Sequence, residues 1–451
     1  MKRSAWRYLW SAKDIRRKLL VTLSILVIFR LAAHVPVPGV NREAIAGILS
    51  GGGTGGTFLS LLDLLSGGTV SNFSVLAMGV YPYITAQIII QLLVPIIPAL
   101  QKRMEEDPRG GQKWMEKWTY ILAVPMAALN AIGQINLFTA FTGGVPILED
   151  FGFSGTALLP SLTVILSMTA GTMFAIWLGE LISEYGIRNQ GLSLIIFAGI
   201  VAQVPTNLGR LMADQQNRWF ILAFILLIMA LIIFAIVFVQ QGRRNVPVMY
   251  PGRRVGNRMS MPVKGTLPLM VNMAGMIPLI FAQSFITFPA IFASFFLRSQ
   301  TPWIANVANS VQNMFNANST FYQVLYFLTV VGFTFFYTDV LFAQQNYGEN
   351  LKKVGAQIPG ISRGAPTQKY LTRVLRRITL PGAVFLGVVA ILPTIVTLIL
   401  SVFGIGLGNQ TGLLLVSSAG LLIVVGVVRD TFFNIETELK LHGYEDSLLV
   451  R

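Results

Sequence analysis

The sequence predicts an all-α membrane protein with ten transmembrane helices, divided into two halves of five spans each. Three observations carry this. Of 451 residues, 54% are hydrophobic and only 12% are charged, whereas about a quarter of a soluble domain is charged. Ten apolar runs of roughly bilayer-spanning length, about 20 residues, can be laid along the chain between polar segments. A motif of the form G-x-x-P-x-I occurs twice, as Gly79-Val80-Tyr81-Pro82-Tyr83-Ile84 and as Gly275-Met276-Ile277-Pro278-Leu279-Ile280.

Proline removes a backbone hydrogen bond, so the stretches Phe58 to Leu93 and Thr266 to Ala290 are each expected to bend or break at the motif. Two ordinary kinked helices would account for each copy alone, since glycine and proline are common in membrane spans. Interrupted spans at corresponding positions of two halves instead mark a duplicated protein whose pathway lies at the repeat interface.

In order, the first span is Leu19 to Ala33, preceded by seven basic residues in 1–18 that hold that end inside. No small-residue cleavage site follows; the chain continues Pro36-Val37-Pro38-Gly39, so the span is read as uncleaved. Arg30, near its outer end, is expected to snorkel. A glycine linker, Gly51 to Gly56, leads to the short amphipathic piece Phe58 to Leu65, closed by Ser66-Gly67-Gly68 and too short to span. The second span runs from Val75 to Leu93, the third from Trp118 to about Phe138 after a basic loop 101–117, the fourth from Leu158 to Leu181, and the fifth from Gly191 to Pro205. The first half, 1–206, closes there.

The second half, 207–451, opens with a sixth span, Trp219 to Val239, and a basic inner loop, 240–265. In it, Pro251-Gly252 suits a type II turn and suggests a hairpin with Arg253 and Arg254 beside its tip. The eighth span, Phe321 to Phe342, precedes a second inner loop, about 344–370, with Lys352, Lys353 and Arg363; the ninth runs from Leu380 to Leu400 and the tenth from Leu413 to Val428. With both ends inside, 29 of the 34 lysines and arginines fall on the inner side, as the positive-inside rule requires.

The chain has no cysteine and only two histidines, His34 and His442, far apart, so thiolate chemistry and a histidine-centred metal site are excluded and no cofactor is expected. Coupled transporters place carboxylates in their spans. Here Glu180, Glu184 and Asp430 belong to span ends, and only Asp339 could lie deeper. The middle is aliphatic, and an aliphatic waist gates a pore by excluding water. Ordinary helix packing is the plain reading of any single isoleucine.

The residue runs are specific. Phe58 to Leu65 with Ser66-Gly67-Gly68, and Ala77 to Leu93, resemble the plug and second span of the bacterial SecY family, channel-forming subunits of the Sec protein translocase. Further matches are Phe29-Arg30 with Pro36 to Gly39, Gly171 to Phe174, Trp177 to Glu180, Ile195 to Ile200, Val271 to Pro278, Asn350 to Lys353 and Ile358 to Ile361. The resemblance implies two pseudo-symmetric five-helix halves forming an inverted repeat, an hourglass in the cytoplasmic membrane with both termini cytoplasmic. It implies no enzyme activity.

By motif, the resemblance assigns a pore ring to Val80, Ile84, Leu192, Ile196, Ile280 and Ile423. The plug would be about 58–72, with Phe58, Leu61, Leu62, Leu65, Ser66, Gly67 and Gly68. A lateral gate to lipid would lie between the second and seventh spans, with Pro82, Thr85, Gln87, Asn272 and Pro278, and Asn130 from the third span. Arg253, Arg254, Lys352, Lys353 and Arg363 would dock a SecA motor or the ribosome, arginine contacting phosphate in the latter case. Small SecE- and SecG-like subunits, translocating polypeptides with their signal sequences, and membrane lipids are the other implied partners. The family usually has arginine directly after Pro-Gly-Ile; here Ser362 stands there and Arg363 follows. Two rival classes are a small-solute transporter, which also has broken helices, and a structural scaffold; the few intramembrane carboxylates and large basic loops favour the channel.

Overall fold

The computed structural model describes residues 13–40, 73–141, 151–152, 155–188, 190–213, 218–251, 254–255, 258–259, 263–294, 296, 301–315, 319–402 and 418–441. Helices of the first half are α1 (Lys13–Ala32), α2 (Tyr81–Ile96), α3 (Pro98–Glu106), α4 (Pro108–Phe141), α5 (Leu158–Tyr185) and α6 (Gly191–Ala213). Those of the second are α7 (Arg218–Gln241), α8 (Ile277–Ser294), α9 (Pro302–Met314), α10 (Thr320–Gln345), α11 (Tyr347–Lys353), α12 (Ala365–Val402) and α13 (Ser418–Leu441). Strands β1 (Arg243–Tyr250), β2 (Arg254–Val255), β3 (Arg258–Met259) and β4 (Val263–Met270) separate α7 from α8. A helix stands at each of the ten predicted span positions, with α3, α9 and α11 between them. Gly110–Asn136, Leu158–Tyr185, Thr320–Lys353 and Ala365–Leu392 are long and apolar enough to cross a membrane by themselves; Gly191–Ala202, Leu226–Gln241 and Ile277–Ile286 are shorter apolar stretches.

Both motifs break their spans rather than bend them. Gly79 and Gly275 adopt positive φ, 51° and 65°, which glycine reaches without the Cβ penalty. Helices α2 and α8 begin two residues later, so Pro82 and Pro278 occupy the first turn, where the missing N–H would have had no intrahelical partner. Residues Thr266 to Met270, expected at the head of the seventh span, belong to β4 instead.

The approach to each motif repeats as well. Val75, four residues before Gly79, donates its N–H to the carbonyl of Val35 just beyond α1 at 2.9 Å; Val271, four residues before Gly275, donates to Gly242 just beyond α7 at 2.9 Å. A Cβ added to Gly171 of α5 would overlap the Val75 carbonyl oxygen, and one added to Gly382 of α12 would lie 2.7 Å from the Val271 oxygen. Helices α1 and α7 stand at the first and sixth span positions, α5 and α12 at the fourth and ninth. The same pair of contacts thus recurs five span positions later, as a duplicated half demands.

Several boundaries differ from expectation for local reasons. The basic loop 101–117 is helical: α2 gives way to α3 through a 93° bend, where Ile97, preceding Pro98, is extended at φ −99° and ψ 106°, because proline excludes the helical region for its predecessor. Helix α6 continues through Pro205 to Ala213, since bundled membrane helices accommodate proline by satisfying the freed carbonyl elsewhere. Helix α12 begins at Ala365, within the loop expected over about 344–370, and carries Lys369, Arg373, Arg376 and Arg377 on its first turns.

The hairpin between α7 and α8 is longer than predicted. β1 pairs antiparallel with β4 from Arg243↔Met270 to Tyr250↔Val263, while β2 pairs with β3. The chain therefore reverses between Val255 and Arg258, not at Pro251-Gly252. The register of this eight-residue ladder sets the point of reversal, and Pro247 and Pro268 are tolerated because each strand of a two-stranded ribbon has a free edge.

Candidate functional site

The six predicted ring residues come together. Val80, Ile196, Ile280 and Ile423 lie in one apolar cluster, and the half-buried Ile84 and Leu192 pack against it. Their exposures are 1%, 6%, 6% and 1% for the four buried members. The first turns of α2 and α8 place Val80, Ile84 and Ile280; the N-terminal turns of α6 place Leu192 and Ile196; and the N-terminal part of α13 brings Ile423. Helices from both parts of the chain thus contribute branched aliphatic side chains to a single cluster.

Met276 was missed by the sequence reasoning. It is half-buried against this same cluster and holds the position in the second motif that Val80 holds in the first. Comparing the two motifs residue by residue would have found it. Its carbonyl accepts the N–H of Ile280 at 3.4 Å, as that of Val80 accepts from Ile84 at 3.1 Å.

Helix α8 packs on both α2 and α4 where the halves meet. Pro82 and Pro278 open the two facing helices. Thr85 spends its hydroxyl on the Pro82 carbonyl at 2.8 Å, which fixes the first turn of α2 and leaves only its acceptor lone pairs for other groups. Asn272 donates from Nδ2 to the carbonyl of Gly275 at 3.0 Å, bracing the turn that starts α8. Gln87 is half-buried on α2. Among the described residues, Asn272 Oδ1, Asn130 Nδ2, Gln91 Oε1 and Gln134 Oε1 are buried without a hydrogen-bond partner. Gln91 follows Gln87 by one turn and Gln134 follows Asn130 by one turn, so helical spacing alone marks polar stripes on α2 and α4. A buried unpaired polar atom costs about 1–3 kcal/mol.

The predicted plug residues Phe58, Leu61, Leu62, Leu65, Ser66, Gly67 and Gly68 lie outside the described residues, as does Arg253. Arg254 lies on β2, paired with Met259, next to the last pair before the hairpin reverses. Lys352 and Lys353 are exposed at the end of α11. Arg363, also exposed, donates from Nε to Gln357 Oε1 at 3.2 Å, so the arginine displaced by one residue is directed back along its own loop. Ser362 turns its carbonyl to the Thr367 hydroxyl at 2.7 Å.

The two basic loops form one unit. Met249 of β1 and Gln357 exchange backbone hydrogen bonds of 2.8 and 2.9 Å, and Val246, Val248 and Leu269 share a core with Leu351, Ile358, Leu371 and Leu375. Beside it, a cavity of about 1060 Å³ is lined by Lys352, Lys369, Arg373, Arg376 and Arg377, among others. Asp339, the deepest carboxylate in the sequence reading, is engaged by Arg376 at 2.9 Å. It is therefore a partnered, half-exposed group at a helix end rather than a lone ion ligand.

Comparison with known proteins identifies this arrangement. The family model for SecY matches residues 74–432. The chain is 38% identical to the protein translocase subunit SecY of Aquifex aeolicus (strain VF5) over 436 residues, covering 96% of each, and 36% identical to that of Streptomyces griseus over 456 residues, covering 99% of each. Its fold is similar to a solved structure of a protein conducting channel, with a TM-score of 0.61 at 16% identity, over 96% of this chain and 95% of that one. With relatives matched along almost their whole length and the family model spanning both motifs, the chain belongs to the SecY family.

Proposed function

We propose that this chain is the channel-forming subunit of a protein translocase in the cytoplasmic membrane, and not itself an enzyme. It passes unfolded secretory polypeptides through the aliphatic waist and releases apolar segments sideways between α2 and α8. The observation that carries this reading is the convergence of Val80, Ile84, Leu192, Ile196, Ile280 and Ile423 from both halves on one apolar cluster. A ring of this kind blocks water and ions while yielding to an apolar or extended chain, because dewetting rather than a specific ligand holds it shut.

The halves 1–206 and 207–451 move against each other in this reading, with the plug, about 58–72, sealing the outer side. Both termini face the cytosol. The joined basic loops, with Arg253, Arg254, Lys352, Lys353 and Arg363, receive a SecA motor or a ribosome, and SecE- and SecG-like subunits complete the assembly. The basic surface suits either partner, since arginine pairs with carboxylate and phosphate alike.

The absence of cysteine makes the test direct. Single cysteines at Ile84 and Ile280, with Phe234 on the exposed face of α7 as control, are offered to a cysteine in a stalled secretory chain. Disulfides at the first two positions and not at the control are expected. Their absence at both, with the chain engaged and the protein folded, would overturn the waist as the conduit.

A further inference from the structure

Helix α9 has no role in the conduit just described. It lies between α8 and α10 at the end of the bundle opposite the hairpin, because α8 runs away from β4 and α9 follows it. The helix packs against α8, and Phe315, just past its end, meets Phe321 of α10 edge-on at 6.1 Å between ring centroids. It contains no charged residue: Pro302-Trp303-Ile304-Ala305-Asn306-Val307-Ala308-Asn309-Ser310-Val311-Gln312-Asn313-Met314.

Its apolar side is wider than the protein surface that covers it. Ile304, Ala308 and Val311 are half-buried or buried, whereas Trp303, Val307 and Met314 are exposed at 73%, 46% and 46%. At about 100° per residue these three exposed side chains fall within an arc of about 40°, directly beside the packed arc. Asn306, Asn309, Ser310 and Asn313 form the remaining exposed side. The helix against which α9 packs carries a second exposed apolar surface, the file of Phe285, Phe288, Phe292 and Phe296 on and just beyond α8. Rings in that file stand 6.2 Å and then 5.5 Å apart from Phe288 to Phe296. Such a file on a membrane span faces acyl chains.

We propose that α9 is an interfacial helix that seats Trp303, Val307 and Met314 in the outer leaflet of the bilayer and so anchors the outer end of α8 to the lipid surface. The occupant is lipid because α9 packs against a membrane span whose own exposed phenylalanine file faces acyl chains, so the free arc of α9 lies at the end of a lipid-facing helix. Tryptophan suits this depth, with an apolar ring and one N–H for the headgroup layer, and an uncharged polar side faces water at little cost. Helices of this kind sit with the apolar face about 5–10 Å into the headgroup and acyl boundary. Any sideways movement of α8 then carries α9 along the membrane surface. This inference depends on membrane embedding, not on polypeptide conduction, so either can fail alone.

The test uses the full chain in dilute vesicles of phosphatidylcholine and phosphatidylglycerol, with spin labels on single cysteines at 303, 307 and 314, and at 306, 309 and 313. Lipid-soluble oxygen should relax the first set more than a water-soluble nickel chelate does, and the second set should show the reverse order. In a 303-labelled chain carrying Val307→Asp, the 303 label should move toward water. Equal water access for both sets would overturn the proposal. So would protection of the first set that appears only when the protein is concentrated or other subunits are added, since the occupant would then be protein.

Discussion

The carbonyl oxygen of Val75 occupies the space that a side chain on Gly171 would need, and the carbonyl of Val271 does the same at Gly382. Each valine also donates its N–H to the segment leaving an earlier helix. The two valines therefore pin the chain on both sides just before it turns through a positive-φ glycine into α2 or α8.

Substituting Gly171 or Gly382 with alanine should force these backbones apart. Overpacking of this kind costs about 1–3 kcal/mol. Thermal unfolding of the purified protein checks it, with Gly332→Ala as control, because nothing lies within 4 Å of a Cβ there. Equal stability of all three variants would mean that the approach is not tight.

Gly275→Ala separates strain from crowding, since a Cβ at this position also meets nothing within 4 Å. The left-handed backbone alone should cost about 1–2 kcal/mol. Gly275→Asn should recover part of the loss, because asparagine visits that region more readily. Identical unfolding for the two variants would remove φ as the reason for the glycine.

Gln357→Pro deletes one of the two hydrogen bonds that tie the second loop to the hairpin. A lost backbone bond is worth about 1 kcal/mol, so hydrogen exchange at the Met249 amide should quicken several-fold. Docking of a motor or ribosome should weaken with it. Unchanged exchange would show the loops held by their shared apolar core alone.

Replacing Ile84 and Ile196 with asparagine wets the waist. Ion conductance of the closed channel in planar bilayers should rise, while the exposed control Leu227→Asn on α7 should leave it unchanged. A tight seal in the double variant would move the barrier away from this ring.

Arg254→Glu should reduce binding of the cytosolic partner at low salt, with a smaller difference at high salt, where exposed charges are screened. The binding curves at two ionic strengths decide it. No difference at low salt would remove the hairpin from the docking surface.

Composition, the spacing of basic residues and the repeated G-x-x-P-x-I were enough to place the helices, because bilayer thickness, topogenic charge and proline all act locally on the chain. Val80, Ile84, Leu192, Ile196, Ile280 and Ile423 came from the resemblance to the SecY family, and what the sequence could not show was that they meet. That is decided by packing between helices far apart in the chain. The hairpin reversal was misplaced for the same reason: Pro251-Gly252 is a good local turn, yet the eight-residue pairing of β1 with β4 overrides it. Met276 was legible but read only as part of a motif. The orphaned Asn130, Gln134 and Gln91, the bond from Met249 to Gln357, and the carbonyl of Val75 against Gly171 belong wholly to the tertiary structure, since each depends on a distance between segments that sequence spacing does not fix.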